Sequence, residues 1–216
     1  MPPLPPPLPP EERPVGQLVA ESIRLYGRRP LAAVALGLGP ALVNALSRAD
    51  GTWTLFVLPI AAAIAVSTSF VGACFLADER RARPVAALLV GVLVFIPVPF
   101  LTLLFILPAL LWLALVGLVV PVLVYEGGGV EAAFRRAVRL ARADFVHVLG
   151  ALATLAIIVF LTQTLLFFLL RGSGDQTLTA ASFLASLVVT PLLFIGAALL
   201  YFDQVAREDR GRVPRR

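Results

Sequence analysis

The sequence predicts an all-α integral membrane protein with six transmembrane helices, and three observations lead to this fold class. Hydrophobic residues make up 59% of the 216-residue chain, charged residues make up 14%, and the mean hydropathy is +0.93. Soluble domains, by comparison, are about 45–50% apolar and about 25% charged. Charged residues are also absent from five long stretches, and the arginines cluster between these stretches and on either side of them. This composition excludes a soluble cytosolic enzyme.

The charge-free stretches set the positions of the predicted spans. Asp, Glu, Lys and Arg are absent from residues 30–47, 51–77, 84–125, 145–170 and 176–202. A helix that crosses a hydrocarbon core of about 30 Å needs about 20 apolar residues. The third stretch would be about 63 Å long as one helix, so it must fold back. We therefore predict spans at 30–47, 52–77, 85–106, 108–125, 145–170 and 177–202.

The reversal inside residues 84–125 has two candidate positions. The segment 96–100 (IPVPF) is the strongest helix breaker, because each proline removes a hydrogen bond and restricts the residue before it. A turn there would leave a first arm of only about a dozen residues, which is short for a span. We favour a turn near Leu107-Pro108, with Pro97 and Pro99 as a kink. A shallow re-entrant hairpin shielded by protein is the alternative.

The distribution of charge predicts the orientation. Sixteen of the eighteen arginines fall on one side of this topology, and only Arg48 and Arg171 fall on the other. The acids divide eleven to two, with Asp50 and Asp175 on the second side. Positive residues mark the cytoplasmic side, and the complete absence of lysine is typical of GC-rich bacterial coding. We therefore predict a multi-pass protein of the bacterial cytoplasmic (inner) membrane with both termini in the cytoplasm.

Three kinds of segment flank the predicted spans. Residues 1–14 contain eight of the eighteen prolines and are predicted to form a disordered tail. Residues 15–28 and 130–142 have the pattern of amphipathic interfacial helices, with arginines on one face and apolar side chains on the other. We assign residues 15–206 to the membrane domain and residues 207–216 to a basic tail.

The arginines of the two interfacial helices are candidate contacts for anionic lipid headgroups. We expect their apolar faces to lie in the acyl boundary while the guanidinium groups reach lipid phosphates. Residues 23–25 (IRL) match residues 138–140 (VRL) at an offset of 115, which leaves open whether the two halves are repeats. The candidate headgroup contacts are Arg24, Arg28, Arg135 and Arg139.

The sequence contains little catalytic chemistry. The predicted spans hold no charged side chain, so no proton relay or pair of carboxylates lies within the membrane. The single cysteine, Cys74, and the single histidine, His147, are too few for a zinc site. The glycine run at 127–129 lacks the Gly-Lys-Ser/Thr of a phosphate-binding loop. We therefore predict no enzymatic activity, no cofactor and no metal.

A few polar side chains remain as candidate functional groups. Asn44 and Gln163 lie within spans and either line a solute path or join helices, and we favour helix contacts worth about 0.6 kcal/mol each. Glu126 and Asp203 stand at span ends, where partial desolvation favours ion pairs. The candidate partners for Asp203 are Arg24 and Arg139.

Several short segments carry a family resemblance. They are residues 16–18 (GQL), 23–26 (IRLY), 121–122 (PV), 126–127 (EG), 133–137 (AFRRA), 139–140 (RL) and 200–203 (LYFD). In these segments the chain resembles small bacterial membrane proteins grouped with the membrane domain of glycerophosphoryl diester phosphodiesterases. Relatives have Ser at the position of Ala137 and an Arg soon after the closing Asp, where Gln204 stands here. The resemblance implies an uncharacterised multi-spanning protein, because hydrolysis in the fused proteins resides in a separate soluble barrel.

These observations predict a non-enzymatic membrane protein that acts as a scaffold or accessory in a membrane or lipid-related process. We expect anionic lipid headgroups as partners and no nucleic acid, and we leave open an unidentified protein partner or a homo-oligomer. The alternative is a transporter or channel component for an apolar or zwitterionic solute. A third class, an enzyme acting on lipid headgroups through Glu126, Asp203 and His147, ranks last.

Overall fold

The computed structural model describes residues 8–47, 54–79 and 82–212, and these residues form helices joined by short turns. No strand occurs in these three ranges, so the predicted all-α class is confirmed. Several sequence predictions concern positions outside the described residues. These positions are residues 1–7 of the proline-rich tail, Arg48, Asp50, Arg80, Arg81 and residues 213–216 of the basic tail.

The described residues begin with a short 3-10 turn, Pro10–Glu12, and continue with helices in chain order. Prolines at the first helical position start several of them, because the missing N–H is not needed there. The helices are α1 (Val15–Arg28), α2 (Pro30–Leu46), α3 (Thr54–Ala77), α4 (Pro84–Phe95), α5 (Pro97–Leu104), α6 (Ile106–Val116), α7 (Val119–Tyr125), α8 (Val130–Ala143), α9 (Phe145–Leu169) and α10 (Asp175–Arg212).

Five stretches of the described chain are long and apolar enough to cross a membrane. The pair α1 and α2, bent by 107° where they meet, adds a sixth if it counts as one span. The fold is therefore that of a multi-pass helical membrane protein. The five stretches are Thr54–Ala77, Pro84–Leu104, Ile106–Tyr125, Phe145–Leu169 and Asp175–Gly211.

The stretch 84–125 forms an antiparallel hairpin that reverses at Phe105. This residue is extended, with φ −167° and ψ 157°, and it separates α5 from α6. The turn thus lies just before the predicted position at Leu107. The two arms pack side by side, α4 on α7 and α5 on α6, and the Trp112 indole N–H donates to the Val94 carbonyl at 2.8 Å. Pro97 and Pro99 interrupt the first arm after Phe95 without reversing it.

Helix α10 is the longest element and the centre of the fold. It is 38 residues long, about 57 Å of rise, so it extends well beyond a hydrocarbon core of about 30 Å. It packs against α1, α2, α3, α8, α9 and the 3-10 turn. Its helical structure continues through residue 212, so the described part of the predicted basic tail is a continuation of α10. Side-chain contacts of Arg207 and Glu208 explain this extension, as described below.

Helices α1 and α8 pack against one end of the bundle. Leu18 and Ser22 of α1 are fully buried beside α9 and α10, and α8 packs on α6, α7, α9 and α10. We expected the apolar faces of α1 and α8 to lie in the acyl boundary. This expectation is wrong for the central residues of both faces, because they are buried against other helices of the protein. The alanines of α8 explain the difference, because small side chains allow close approach between helices. The buried residues of α8 are Ala133, Ala137, Leu140 and Ala141.

Candidate functional site at the polar end of the bundle

One end of the bundle collects most of the ion pairs among the described residues, and we call it the polar end. It comprises the 3-10 turn, α1, α8, the first turn of α9 and residues 201–212 of α10. Asp144 starts α9 here by accepting a hydrogen bond from the His147 backbone N–H at 3.0 Å, as an N-cap residue does. Arg171 follows the far end of α9 and therefore lies at the opposite end of the bundle.

The first group of side chains, which we call the Asp203 cluster, joins the start of the chain to α9 and α10. Arg13 Nη1 donates to Asp203 Oδ1 at 2.8 Å. Arg207 Nη1 donates to Asp144 Oδ2 at 2.7 Å, and its Nη2 donates to the Arg13 carbonyl at 2.8 Å. His147 lies between the two arginine–carboxylate pairs. The cluster therefore holds the segment around Arg13, just before α1, against the last third of α10.

His147 fills the space between the two arginine–carboxylate pairs. Its Nδ1 lies 3.4 Å from Arg207 Nη2, and its Nε2 faces Asp203 Oδ2 at 3.6 Å. The second distance is too long for a hydrogen bond. The imidazole side chain is only 8% exposed, so it helps to exclude water from both ion pairs.

Burial makes the Asp203 cluster electrostatically important. The Asp203 side chain is fully buried, and that of Arg13 is 14% exposed. Removing one partner of such a pair leaves an uncompensated charge in a desolvated site. The predicted partners of Asp203 were wrong, because Arg24 lies near Glu21 at 3.7 Å and Arg139 is exposed. Arg13 was missed because it belongs to the segment predicted to be a disordered tail.

The second group, which we call the Glu126 cluster, fastens α8 to α7 and α10. Arg136 Nε donates to both Glu126 carboxylate oxygens at 3.1 Å, and Arg136 Nη1 also contacts Glu208. The Tyr201 hydroxyl donates to Glu126 Oε1 at 2.8 Å. Burial lowers the pKa of Arg136, but the hydrogen bonds and charges of Glu126 and Glu208 outweigh this and raise it. The guanidinium therefore stays charged between two carboxylates.

The glycine run between α7 and α8 allows this second cluster to form. Gly127 and Gly128 have φ of 74° and 82°, a region that side-chain-bearing residues rarely adopt. The chain can therefore turn sharply after Glu126 and return α8 across the end of the bundle. This turn brings Arg136 back to Glu126, ten residues earlier in the sequence.

Asn44 and Gln163 meet at a residue that the sequence did not single out. Asn44 Nδ2 and Gln163 Nε2 both donate to the Ser186 hydroxyl oxygen, each at 2.9 Å. One buried hydroxyl thus joins α2, α9 and α10. Such hydrogen bonds support the interpretation of these amides as helix contacts. The only signal for Ser186 in the sequence was its position as a small polar residue inside a span.

Gln204 is a buried amide with a different environment, and it gives a testable contrast with Gln163. Its side chain is fully buried, and neither amide atom has a hydrogen-bond partner in the described part of the chain. An unsatisfied buried polar group costs about 1–3 kcal/mol. We expect Gln204→Leu to raise the free energy of unfolding by about 1 kcal/mol, whereas Gln163→Leu should lower it by about 0.6 kcal/mol. Denaturation in detergent micelles measures both.

Both variants replace glutamine with leucine, so the sign of the change in the free energy of unfolding distinguishes the environments of the two amides. Destabilisation by Gln204→Leu similar to that of Gln163→Leu would contradict the absence of a partner for the Gln204 amide.

The candidate headgroup contacts remain accessible. Arg24 and Arg135 are 62% and 68% exposed, and Arg28 and Arg139 are also exposed. Arg135 has Glu131 as a neighbour at 3.4 Å, but exposed ion pairs of this kind contribute little. The guanidinium groups are therefore free to exchange such neighbours for anions in the surroundings. A shallow groove lies beside them on α8, lined by Phe134, Arg135, Val138, Arg139 and Arg142.

The residues of the enzyme hypothesis are divided between the two clusters. Glu126 belongs to one, whereas Asp203 and His147 belong to the other. Among the described residues, no three His, Cys, Asp or Glu side chains are placed to hold a metal ion. No protein-family model, curated protein or solved structure matches the chain. The resemblance to phosphodiesterase membrane domains therefore stays a prediction, and function must be argued from the site.

Proposed function

We propose that this chain is a non-enzymatic scaffold or accessory protein of the bacterial cytoplasmic membrane that binds anionic lipid headgroups at its polar end. The observation that carries the proposal is the placement of α1 and α8. Protein covers the central apolar residues of both helices, while Arg24, Arg28, Arg135 and Arg139 project outward. The bend of 107° between α1 and α2 turns α1 away from the direction of the span, as expected for a helix along a membrane surface.

Electrostatics supports the assignment of the polar end to the cytoplasmic side. Each Arg near an anionic leaflet contributes about 1 kcal/mol of attraction. The sequence concentrates sixteen of its eighteen arginines on one side of the predicted topology, and both the start of α1 and the end of α10 lie at this end. The proposed orientation thus places both termini in the cytoplasm.

The other ionisable groups of the polar end support a structural role. Arg13, Arg136 and Arg207 are largely buried and hold carboxylates of α10 or of neighbouring segments. These groups fasten helices to each other, whereas the outward arginines have only weak exposed neighbours. The site therefore has a rigid interior and a cationic surface, which suits binding and positioning.

Lipid retention tests this function. A variant with Arg24, Arg28, Arg135 and Arg139 changed to Gln should retain at least about tenfold less phosphatidylglycerol and cardiolipin after purification, because four headgroup attractions are removed. Phosphatidylcholine retention should not change. Mass spectrometry of lipids bound to the purified protein measures both.

The matched control is Arg171→Gln, which removes an exposed arginine at the opposite end of the bundle. We expect this control to keep the wild-type lipid content. Equal retention of anionic lipid by the fourfold variant and the wild type would refute headgroup binding by these arginines.

The alternative function, transport of an apolar or zwitterionic solute, makes a different prediction. Flux in proteoliposomes that disappears in Gln163→Leu would favour it. The hydrogen bonds of Gln163 and Asn44 to Ser186 favour the scaffold, because both amides are engaged in joining helices.

A further inference from the structure

The membrane part of the bundle contains a partly open apolar cavity of about 230 Å³. Residues of α2, α3, α5, α9 and α10 contribute to its lining, together with the hairpin arms at Phe95, Leu113 and Gly117. Thr190 is the one residue with a polar side chain among those that line it. None of the residues that line the cavity belongs to either cluster of the polar end or to the outward arginines.

Helix-weakening residues from three elements meet at this cavity. Pro40 lies inside α2, Pro99 follows the break that separates α4 from α5, and Gly117 lies in the break between α6 and α7. Each proline removes a backbone hydrogen bond from its helix, and each break stops a helix from packing along its full length. Three separate elements of the sequence therefore shape the cavity, so it is not the result of a single packing defect.

The chemistry of the lining determines what can fill the cavity. Water occupies about 30 Å³ per molecule in the liquid and needs two to four polar partners when buried. The volume would hold about eight waters, yet the lining offers one side-chain hydroxyl. Apolar cavities of about 150 Å³ stay dry and bind small hydrocarbons. An apolar ligand is therefore the matching occupant.

We propose that this cavity binds part of one acyl chain of a bilayer phospholipid. Acyl chains surround the spans on every side, so this ligand is present at very high local concentration. Helix α5 is the weakest wall, because none of its eight residues is fully buried. Leu103 and Leu104 of α5 are 82% and 69% exposed. Val98 and Pro99 of α5 line the cavity and are themselves partly exposed, so α5 is the wall beside which a chain from an adjacent lipid can reach the lining.

The proposal goes beyond headgroup binding and does not rest on it. The headgroup site uses guanidinium groups at the polar end, whereas the acyl-chain site uses apolar side chains within the spans. In the photo-crosslinking experiment described below, the cavity residues of the fourfold arginine variant should therefore be labelled to the same extent as those of the wild type.

Photo-crosslinking in phosphatidylcholine nanodiscs tests acyl-chain binding. The probe is phosphatidylcholine with a diazirine in the middle of one acyl chain, and peptide mass spectrometry locates the labelled residues. In the wild type we expect labels on Phe70 and Leu193, which line the cavity, and on Phe56, which is 76% exposed. Ala197→Phe fills the cavity from α10 and should lower labelling of Phe70 and Leu193 about tenfold, with Phe56 unchanged.

The matched control is Ala35→Phe, which adds the same ring at an exposed position of α2 and should leave every label unchanged. If Ala197→Phe does not fold, Ala62→Leu fills the same cavity from α3 with a smaller side chain. The proposal is overturned if only exposed residues are labelled in the wild type, or if cavity labels persist in the folded filled variant. Labelling of the cavity by a diazirine fatty acid but not by the phospholipid probe would also overturn it.

Discussion

Replacement of Asp203 with asparagine should lower the free energy of unfolding by about 3–5 kcal/mol. Asparagine keeps the size of the side chain but removes the charge that Arg13 Nη1 contacts at 2.8 Å. The Asp203 side chain is fully buried and that of Arg13 is 14% exposed, so the remaining guanidinium cannot regain full hydration without separating the chain start from α10. Reversible unfolding in mixed detergent micelles measures the change.

The matched control is Glu131→Gln, which removes the exposed carboxylate 3.4 Å from Arg135. Exposed pairs contribute about 0–1 kcal/mol, so this variant should unfold almost as the wild type does. In a double-mutant cycle, Arg13→Gln combined with Asp203→Asn should cost clearly less than the sum of the two single changes. Additive losses, or a loss below about 1 kcal/mol for Asp203→Asn, would show that the pair does not hold the chain start in place.

Gly37→Ala should destabilise the protein by at least about 3 kcal/mol, the upper end for overpacked cores. A Cβ at this position would lie 2.1 Å from the Leu187 carbonyl oxygen and 2.7 Å from its carbon. Both atoms belong to the backbone of α10, so no rotamer change relieves the clash. Relief requires α2 and α10 to move apart along their extensive contact. Thermal and detergent-induced unfolding of the purified variant measure the loss.

Gly150→Ala provides the matched control inside another span. The nearest atom to an added Cβ there is Val15 Cγ2 at 4.0 Å, which is ordinary van der Waals contact. Alanine is also favoured over glycine within a helix by about 0.5–1 kcal/mol. We expect Gly150→Ala to be neutral or slightly stabilising. Equal effects of the two alanines would mean that α2 and α10 do not approach as closely as the structure shows.

The sequence alone could predict the class of the fold because the bilayer imposes simple rules. Charge-free length locates helices that cross hydrocarbon, and these rules placed the five apolar stretches at nearly their observed positions. The turn at Phe105 was harder to place. The prolines at 97, 99 and 108 all break helices, and only the packing of α4 on α7 and α5 on α6 determines which break reverses the chain.

For the polar end, the sequence could predict some of the charged residues but not the pairs that they form. Glu126 and Asp203 are recognisable as acids at span ends, but their partners depend on how α8 and the chain start return to α10. Arg13 lies 190 residues before Asp203 in the sequence, and no local pattern links them. The opposite environments of Gln163 and Gln204 likewise depend on packing, since both are amides in helices rich in apolar residues.

The contacts of α10 set the order in which this protein can fold during synthesis. The 3-10 turn and α1 pack against α10, and the contact between α2 and α10 is among the most extensive in the bundle. The segments that leave the ribosome first therefore obtain their main partner last.

Gly37 of α2 packs against the backbone of Leu187, and Asn44 donates to the hydroxyl of Ser186. Both partners belong to α10, so neither contact can form until α10 has been synthesised. Such contacts between distant parts of a chain form slowly. Before α10 is synthesised, α2 must therefore be held in the membrane by its own hydrophobicity and by α3. The synthesis of α10 should then bring these helices together in a late step.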